Sequence, residues 1–444
     1  MQTSFSLAQL ADPDISEADK ILRTCVHCGF CTATCPTYLL LGDEDDSPRG
    51  RIYLIKEMLE NAEPARREVV KHIDRCLSCL GCMTTCPSGV HYMHLVDHAR
   101  VHVEKTYRRP IADRLVRSAL LWVMTDPKLF RRALLLALLV KPIAPLFDLL
   151  RLKMVAAMLR LAPWRAPRGG PATPGVVPAA GLRRGRVALL SGCVANVLAP
   201  GINQAAIRVL TRHGFDVVLA RDEGCCGALA HHMGRKEEAH AAACRNIDAW
   251  SREVNAEGID AIVTTASGCG TTMKDYGFML RHYPGYAAPA KKIAAISRDI
   301  SEFINEINCL QYTQRPSLKV AYHPACSLAH GQRVTTAPRE MLSKAGFMLI
   351  DIPESHLCCG SAGTYNMLQP ELANRLRDRK IANIDAVMPE LIAAGNIGCI
   401  TQIAAGTPIP VVHPIELIDW ATGGSAPRAL ERMGWSDAIG DRSE

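Results

Sequence analysis

Two short runs of cysteine constrain this chain more than anything else in it. Cys25, Cys28, Cys31 and Cys35 are followed by Pro36, and Cys76, Cys79, Cys82 and Cys86 by Pro87, both in the spacing C-x2-C-x2-C-x3-C-P. Three thiolates so spaced wrap one face of a cubane cluster, and the fourth ligates the neighbouring cluster. The pattern predicts two [4Fe-4S] clusters, one on Cys25, Cys28, Cys31 and Cys86, the other on Cys35, Cys76, Cys79 and Cys82. Zinc also favours C-x2-C pairs, but a tetrahedral zinc site needs only two pairs and no third cysteine two residues on. Each proline turns the chain out of the site, while Gly29 and Gly81 are expected to let backbone approach the inorganic sulfides. His27, inside the first run, reads as an exposed loop residue. His94, His98 and His102 share a helix face, but no carboxylate or open-site motif accompanies them.

Of the 18 cysteines, only Cys244 and Cys309 stand outside a pattern. The N-terminal segment lacks the basic start and apolar run of a secretory signal, so a cytoplasmic, reducing location is expected and the clustered cysteines read as metal ligands. No stretch approaches the roughly 20 apolar residues of a spanning helix. The formal charge of +7 is local. Between Arg114 and Arg165 ten Lys/Arg face two Asp, a balance of +8, leaving −1 for the remainder.

The predicted fold class is a multidomain α+β chain. Residues 1–110 form a helical ferredoxin-type domain for two [4Fe-4S] clusters, 111–165 a basic amphipathic helical segment, and 166–185 a Pro/Gly-rich linker. The rest repeats itself. Cys193 to Cys326 is 326 − 193 = 133 residues, Cys225–Cys226 to Cys358–Cys359 is 133 again, and Cys269 to Cys399 is 130. Each copy runs from an apolar stretch (VALLSGC; VAYHPAC) through a helical segment and a second apolar stretch to Cys-Cys-Gly, then a long helix and a last strand. Such alternation predicts parallel α/β units, in pseudo-twofold halves at 186–313 and 314–444. Ligand sites in these sheets form beyond the carboxyl ends of strands, where these cysteines fall.

Each half therefore offers four thiols: Cys193, Cys225, Cys226 and Cys269, then Cys326, Cys358, Cys359 and Cys399. Four thiols converging from three strand ends suggest a further iron–sulfur cluster or zinc, with buried inert thiols as the alternative. A third centre is expected in the first half, where Gly268 and Gly270 flank Cys269 and leave room.

With the segments CVHCGFCTATCP, DSPRGRIYLIKEML and HIDRCLSCLGCMTTCP and the two Cys-Cys-Gly halves, the chain resembles the iron–sulfur subunits of flavin-linked hydroxyacid and glycerol-3-phosphate dehydrogenases, the glycolate oxidase (glycolate dehydrogenase) type above all. It also resembles heterodisulfide reductase subunits, but Cys269 and Cys399 each stand where those have a C-x-x-C pair. The resemblance implies partner FAD-containing subunits that oxidise glycolate to glyoxylate, with electrons passing through this chain towards a quinone. A D-lactate or glycerol-3-phosphate dehydrogenase subunit, or a thiol–disulfide redox protein, are the alternatives. No G-x-G-x-x-G opens a strand–helix unit, so neither FAD nor NAD is expected on this chain, and no nucleic-acid recognition motif is present. A peripheral place on the inner face of the cytoplasmic membrane is compatible with the basic segment.

Overall fold

The computed structural model describes residues 1–149, 152–164, 173–314 and 316–431. The N-terminal region is helical. Pro13–Thr24, Pro48–Glu60, Arg67–Asp74 and Tyr92–Thr106 bury Leu22, Ile55, Ile73 and Leu95 in one core. The string DSPRGR is a helix start: Ser47 caps the Gly50 amide, Pro48 takes the first turn, and a Cβ on Gly50 would sit 2.1 Å from the Glu44 carbonyl oxygen.

The basic segment forms helices Ile111–Thr125, Pro127–Val140, Ala144–Leu149 and Lys153–Leu161. Leu120, Leu121 and Met124 pack onto the first cysteine-rich half. Trp122, Leu136 and Leu139 stay exposed. No described helix is long and apolar enough to cross a membrane. Part of the Pro/Gly-rich stretch, 166–172, lies outside the described residues. The rest contributes strand β1, Gly175–Val177, antiparallel to β3 at a sheet edge.

Each half then builds a parallel sheet. The first contains β2 (Gly185–Leu189), β3 (Phe215–Leu219), β4 (Ala261–Thr264) and β5 (Ser297–Asp299), in spatial order β1-β3-β2-β4-β5. The second contains β6 (Lys319–His323), β7 (Met348–Ile350), β8 (Leu391–Ala394) and β9 (Val411–Val412), in order β7-β6-β8-β9. Apart from the β1 edge the order is the same, so the cysteine repeat is a structural repeat. One apolar core is shared, with Val187 and Val263 of the first sheet, Val320 and Leu391 of the second, and Trp420 from helix Pro414–Ala421. The buried Asp419 carboxylate receives Arg208 at 2.6 Å and Arg212 at 3.2 Å across the seam. Ser267 and Ser327 share a 2.7 Å hydrogen bond there as well.

Candidate iron–sulfur centres and a shared cysteine chamber

The two ferredoxin-type runs fold alike. His27 and Gly29 in the first, and Ser78 and Leu80 in the second, all have positive φ, between 49° and 86°. Left-handed residues alternating with right-handed ones turn successive amides inward, a geometry suited to an anionic cluster. Gly29 suits this left-handed position, and the Arg49 guanidinium lies over its open face, 2.8 Å from where a Cβ would stand. Gly81 has no such duty: the strained position of the second run is Leu80, and a Cβ on Gly81 would meet only ordinary contacts.

Cys25, Cys28, Cys31 and Cys86 line one small cavity, which Cys82 of the other set also reaches, with His27 half-buried at its wall rather than out in solvent. Burial and the neighbouring Cys25 push the Cys31 thiol up to about 11. In the second group, burial and then Cys79, Cys76 and Cys35 drive the Cys82 thiol well above its ordinary value. Crowded, buried thiols of this kind become thiolates readily only against a cationic metal, so the donor set fits a cluster at both places.

Several residues about these cysteines escaped the sequence reading. Arg51 is 1% exposed and donates to the His72 carbonyl at 2.7 Å, Thr37 Oγ1 at 3.0 Å and Asp46 Oδ1 at 3.2 Å, with Nη1 3.8 Å from Cys35 Sγ. Tyr92 Oη lies 3.8 Å from Cys76 Sγ. A cation and a hydroxyl beside cluster sulfurs raise a reduction potential. Arg100 binds the second run directly, through Ser78 Oγ at 2.5 Å and the Cys76 carbonyl at 2.8 Å. Its partner Asp97 accepts from His231 at 3.1 Å and stands 3.7 Å from His232, both on the first cysteine-rich half. The signal for Arg51 was in view, in the string DSPRGR. Nothing local marks Asp97.

The three histidines on one helix face do not act together. His94 pairs with Asp275 at 2.9 Å and stacks on Phe278, His102 bonds the Glu63 carbonyl oxygen at 2.9 Å, and the buried Nε2 of His98 has no partner.

The eight cysteines of the repeat line a single cavity of about 160 Å3, together with Leu77 and Ser78 of the second ferredoxin run. Cys193 and Cys225 are 3.6 Å apart, Cys326 and Cys358 3.8 Å. The glycine of each Cys-Cys-Gly has a fixed role. Gly227 (φ 88°) and Gly360 (φ 89°) press on the following long helix, and a Cβ would stand 2.9 Å from the Ala239 oxygen or 2.5 Å from the Ala373 oxygen. Of the glycines around Cys269, Gly268 opens onto empty space while Gly270 is covered by Gln332. The second ferredoxin run touches the second half: Cys326 lies close enough to raise the Cys79 thiol, Cys79 close enough to raise the Cys358 thiol, and Thr84 bonds His330 at 2.8 Å.

A two-cluster cysteine framework docked on a twofold cysteine-rich α/β domain defines an iron–sulfur electron-transfer protein. Residues 21–90 match the 4Fe-4S dicluster domain family, and 187–274 and 320–404 match the Cysteine-rich domain family. The chain belongs to the family of glycolate oxidase iron–sulfur subunits, being 42% identical over 422 residues to the glycolate oxidase iron-sulfur subunit of Escherichia coli, across 95% of this chain and 99% of that one. It is 29% identical to a probable glycolate oxidase iron-sulfur subunit of Bacillus subtilis, across 87% of this chain and 89% of that one. A hypothetical protein from Helicobacter pylori shares the fold with a TM-score of 0.55 at 11% identity, over 95% of this chain and 74% of its own.

Proposed function

We propose that the chain is the electron-transfer subunit of a flavin-dependent glycolate dehydrogenase, receiving electrons from partner FAD subunits that oxidise glycolate to glyoxylate and passing them towards a quinone. The observation that carries this is the continuity of sulfur donors, from the quartet Cys25, Cys28, Cys31 and Cys86, through Cys35, Cys76, Cys79 and Cys82, to Cys326 and Cys358 in the chamber wall. Bound at the quartets, [4Fe-4S] clusters supply the single-electron steps that divide a two-electron flavin reaction. The protein's own part is positioning: Arg51 holds a fixed positive charge beside Cys35, and Arg100 ties the second run to the helix beneath it. Cys28→Ser and Cys79→Ser should each cost about four irons and nearly all electron transfer from glycolate to a quinone analogue. Iron analysis and low-temperature EPR of the purified complex read this directly. Full iron with full activity would reject the ligand assignment.

On the acceptor side, the reading extends to the basic segment. Trp122, Leu136, Leu139 and Leu149 are exposed on helices whose segment carries the +8 balance, which suits the surface of an anionic bilayer. The chain should float with phosphatidylglycerol vesicles at low salt and be released at high salt. Failure to float at low salt removes the membrane from the proposal and leaves this face to a protein partner.

A further inference from the structure

His323, at the last position of β6, is 1% exposed, and neither of its ring nitrogens has a hydrogen-bond partner. Buried imidazoles are ordinarily paired, because an unmet nitrogen loses its water without compensation. What surrounds this one is sulfur. A ring nitrogen of His323 and the Sγ atoms of Cys359 and Cys399 all lie within 4.8 Å of one another, each residue buried. Three strand ends converge there: β6 brings the imidazole, the turn after β7 brings Cys359, and the helix after β8 brings Cys399.

The fold does not require the histidine. Leu190 precedes Cys193 in the first half as His323 precedes Cys326 in the second, and the strand and turn form equally well around it. A second replacement accompanies the first. The buried Lys380 occupies the place on its long helix that Ile247 holds in the first half, and it is near enough to Cys359, Cys358 and Cys399 to feel their charge. At these two positions one half has leucine and isoleucine, the other an imidazole and an ammonium beside its thiols.

We propose that His323, Cys359 and Cys399 form a mixed imidazole–thiolate metal site in the second half, built for one zinc-class divalent ion. Two soft thiolates and an imidazole, with no carboxylate among them, are donors that zinc takes tetrahedrally. Two thiolates offset the charge of a divalent ion. The fourth position faces the chamber, where Cys326 and Cys358 stand. This deepens the reading of the chamber as metal-binding and makes the two halves chemically different sites.

The full chain, purified anaerobically with and without cobalt in the growth medium, tests this. The native protein should hold about one zinc per chain beyond its iron, and cobalt should give tetrahedral d–d bands with thiolate charge transfer. His323→Leu, which installs the residue of the first half, should lose that equivalent and the cobalt bands while keeping iron and EPR signals. His323→Cys should restore the metal. Zinc-edge X-ray absorption on the native chain needs no variant and should show one nitrogen among sulfurs. An all-sulfur shell, metal retained in His323→Leu, or no metal beyond iron would each overturn the proposal. Loss of the EPR signals in the native chain would instead count against the proposed electron relay.

Discussion

The two cysteine-rich halves share a backbone and differ in what they bury. Both order their parallel strands alike, both place their thiols beyond the same three strand ends, and both need a left-handed glycine against the following helix. Yet Leu190 and Ile247 of the first half stand at the positions of His323 and Lys380 in the second. The first half meets the N-terminal region through His231, His232 and Asp97, the second through Cys326, Cys358 and Tyr365 packed about Leu77 and Cys79. A duplicated scaffold can keep its packing rules while each copy takes a separate electrostatic task, because packing is set by strands and glycine, and charge by a few interior positions.

The comparison breaks first, and with the largest effect, at the glycines. Alanine at either site must hold a positive φ, which costs about 1 kcal/mol or more before any contact is counted. At Gly227 the new Cβ would be 2.9 Å from a helix oxygen, at Gly360 only 2.5 Å. Gly360→Ala should therefore cost roughly 4 kcal/mol and Gly227→Ala roughly 2. Thermal unfolding under argon at one scan rate ranks them. Equal shifts would mean that both halves yield alike, and that the tighter second half is not a rigid floor beneath its cysteines.

How much of this was legible in the sequence follows from the kind of interaction. The cysteine runs and the repeat could be read because metal ligation and strand order impose fixed spacings along the chain. That both sets of four thiols open into one chamber could not, since it depends on how two sheets pack. The expectation of a third centre in the first half rested on glycines about Cys269. Of those glycines Gly268 stands open, while Gln332, from the other half, covers Gly270; the unpartnered imidazole lies in the second half. His323 stood in plain view three residues before Cys326, but a lone histidine on an apolar strand is ordinarily a satisfied core residue. Only the absence of a hydrogen-bond partner sets it apart. Arg51 shows the converse: DSPRGR lies in one of the segments that carry the resemblance, while its reason, a guanidinium buried against Asp46 and Cys35, is tertiary.

The smallest expected effect concerns pH, and it sharpens the contrast where each half meets the N-terminal region. His231 and His232 of the first half correspond to Thr364 and Tyr365 of the second, so the carboxylate–imidazole pair has no counterpart there, and the histidine of the second contact, His330 against Thr84, is lowered by burial. Burial alone would lower His231, but the Asp97 carboxylate outweighs it and holds the imidazole above its ordinary 6.5. Asp97 is also buried, yet His231 and His232 hold it well below 3.8. A raised histidine adds stability that is fully present below 6.5 and is lost as pH rises through its folded value. A lowered carboxylate adds stability that is present above 3.8 and is lost as pH falls through its own. His232, lowered by burial, runs the other way and weakens the fold as pH drops below 6.5. Arg100, from the same helix as Asp97, and Asp275, from the first half, also face the group, so absolute stability mixes several titrations. The difference between native protein and Asp97→Asn isolates the pair. Measured as thermal midpoints, that difference should be larger at about pH 6 than at about pH 8, and His231→Gln should remove the pH dependence of the gap. A gap of the same size at both pH values would leave Asp97 as a partner of Arg100 alone.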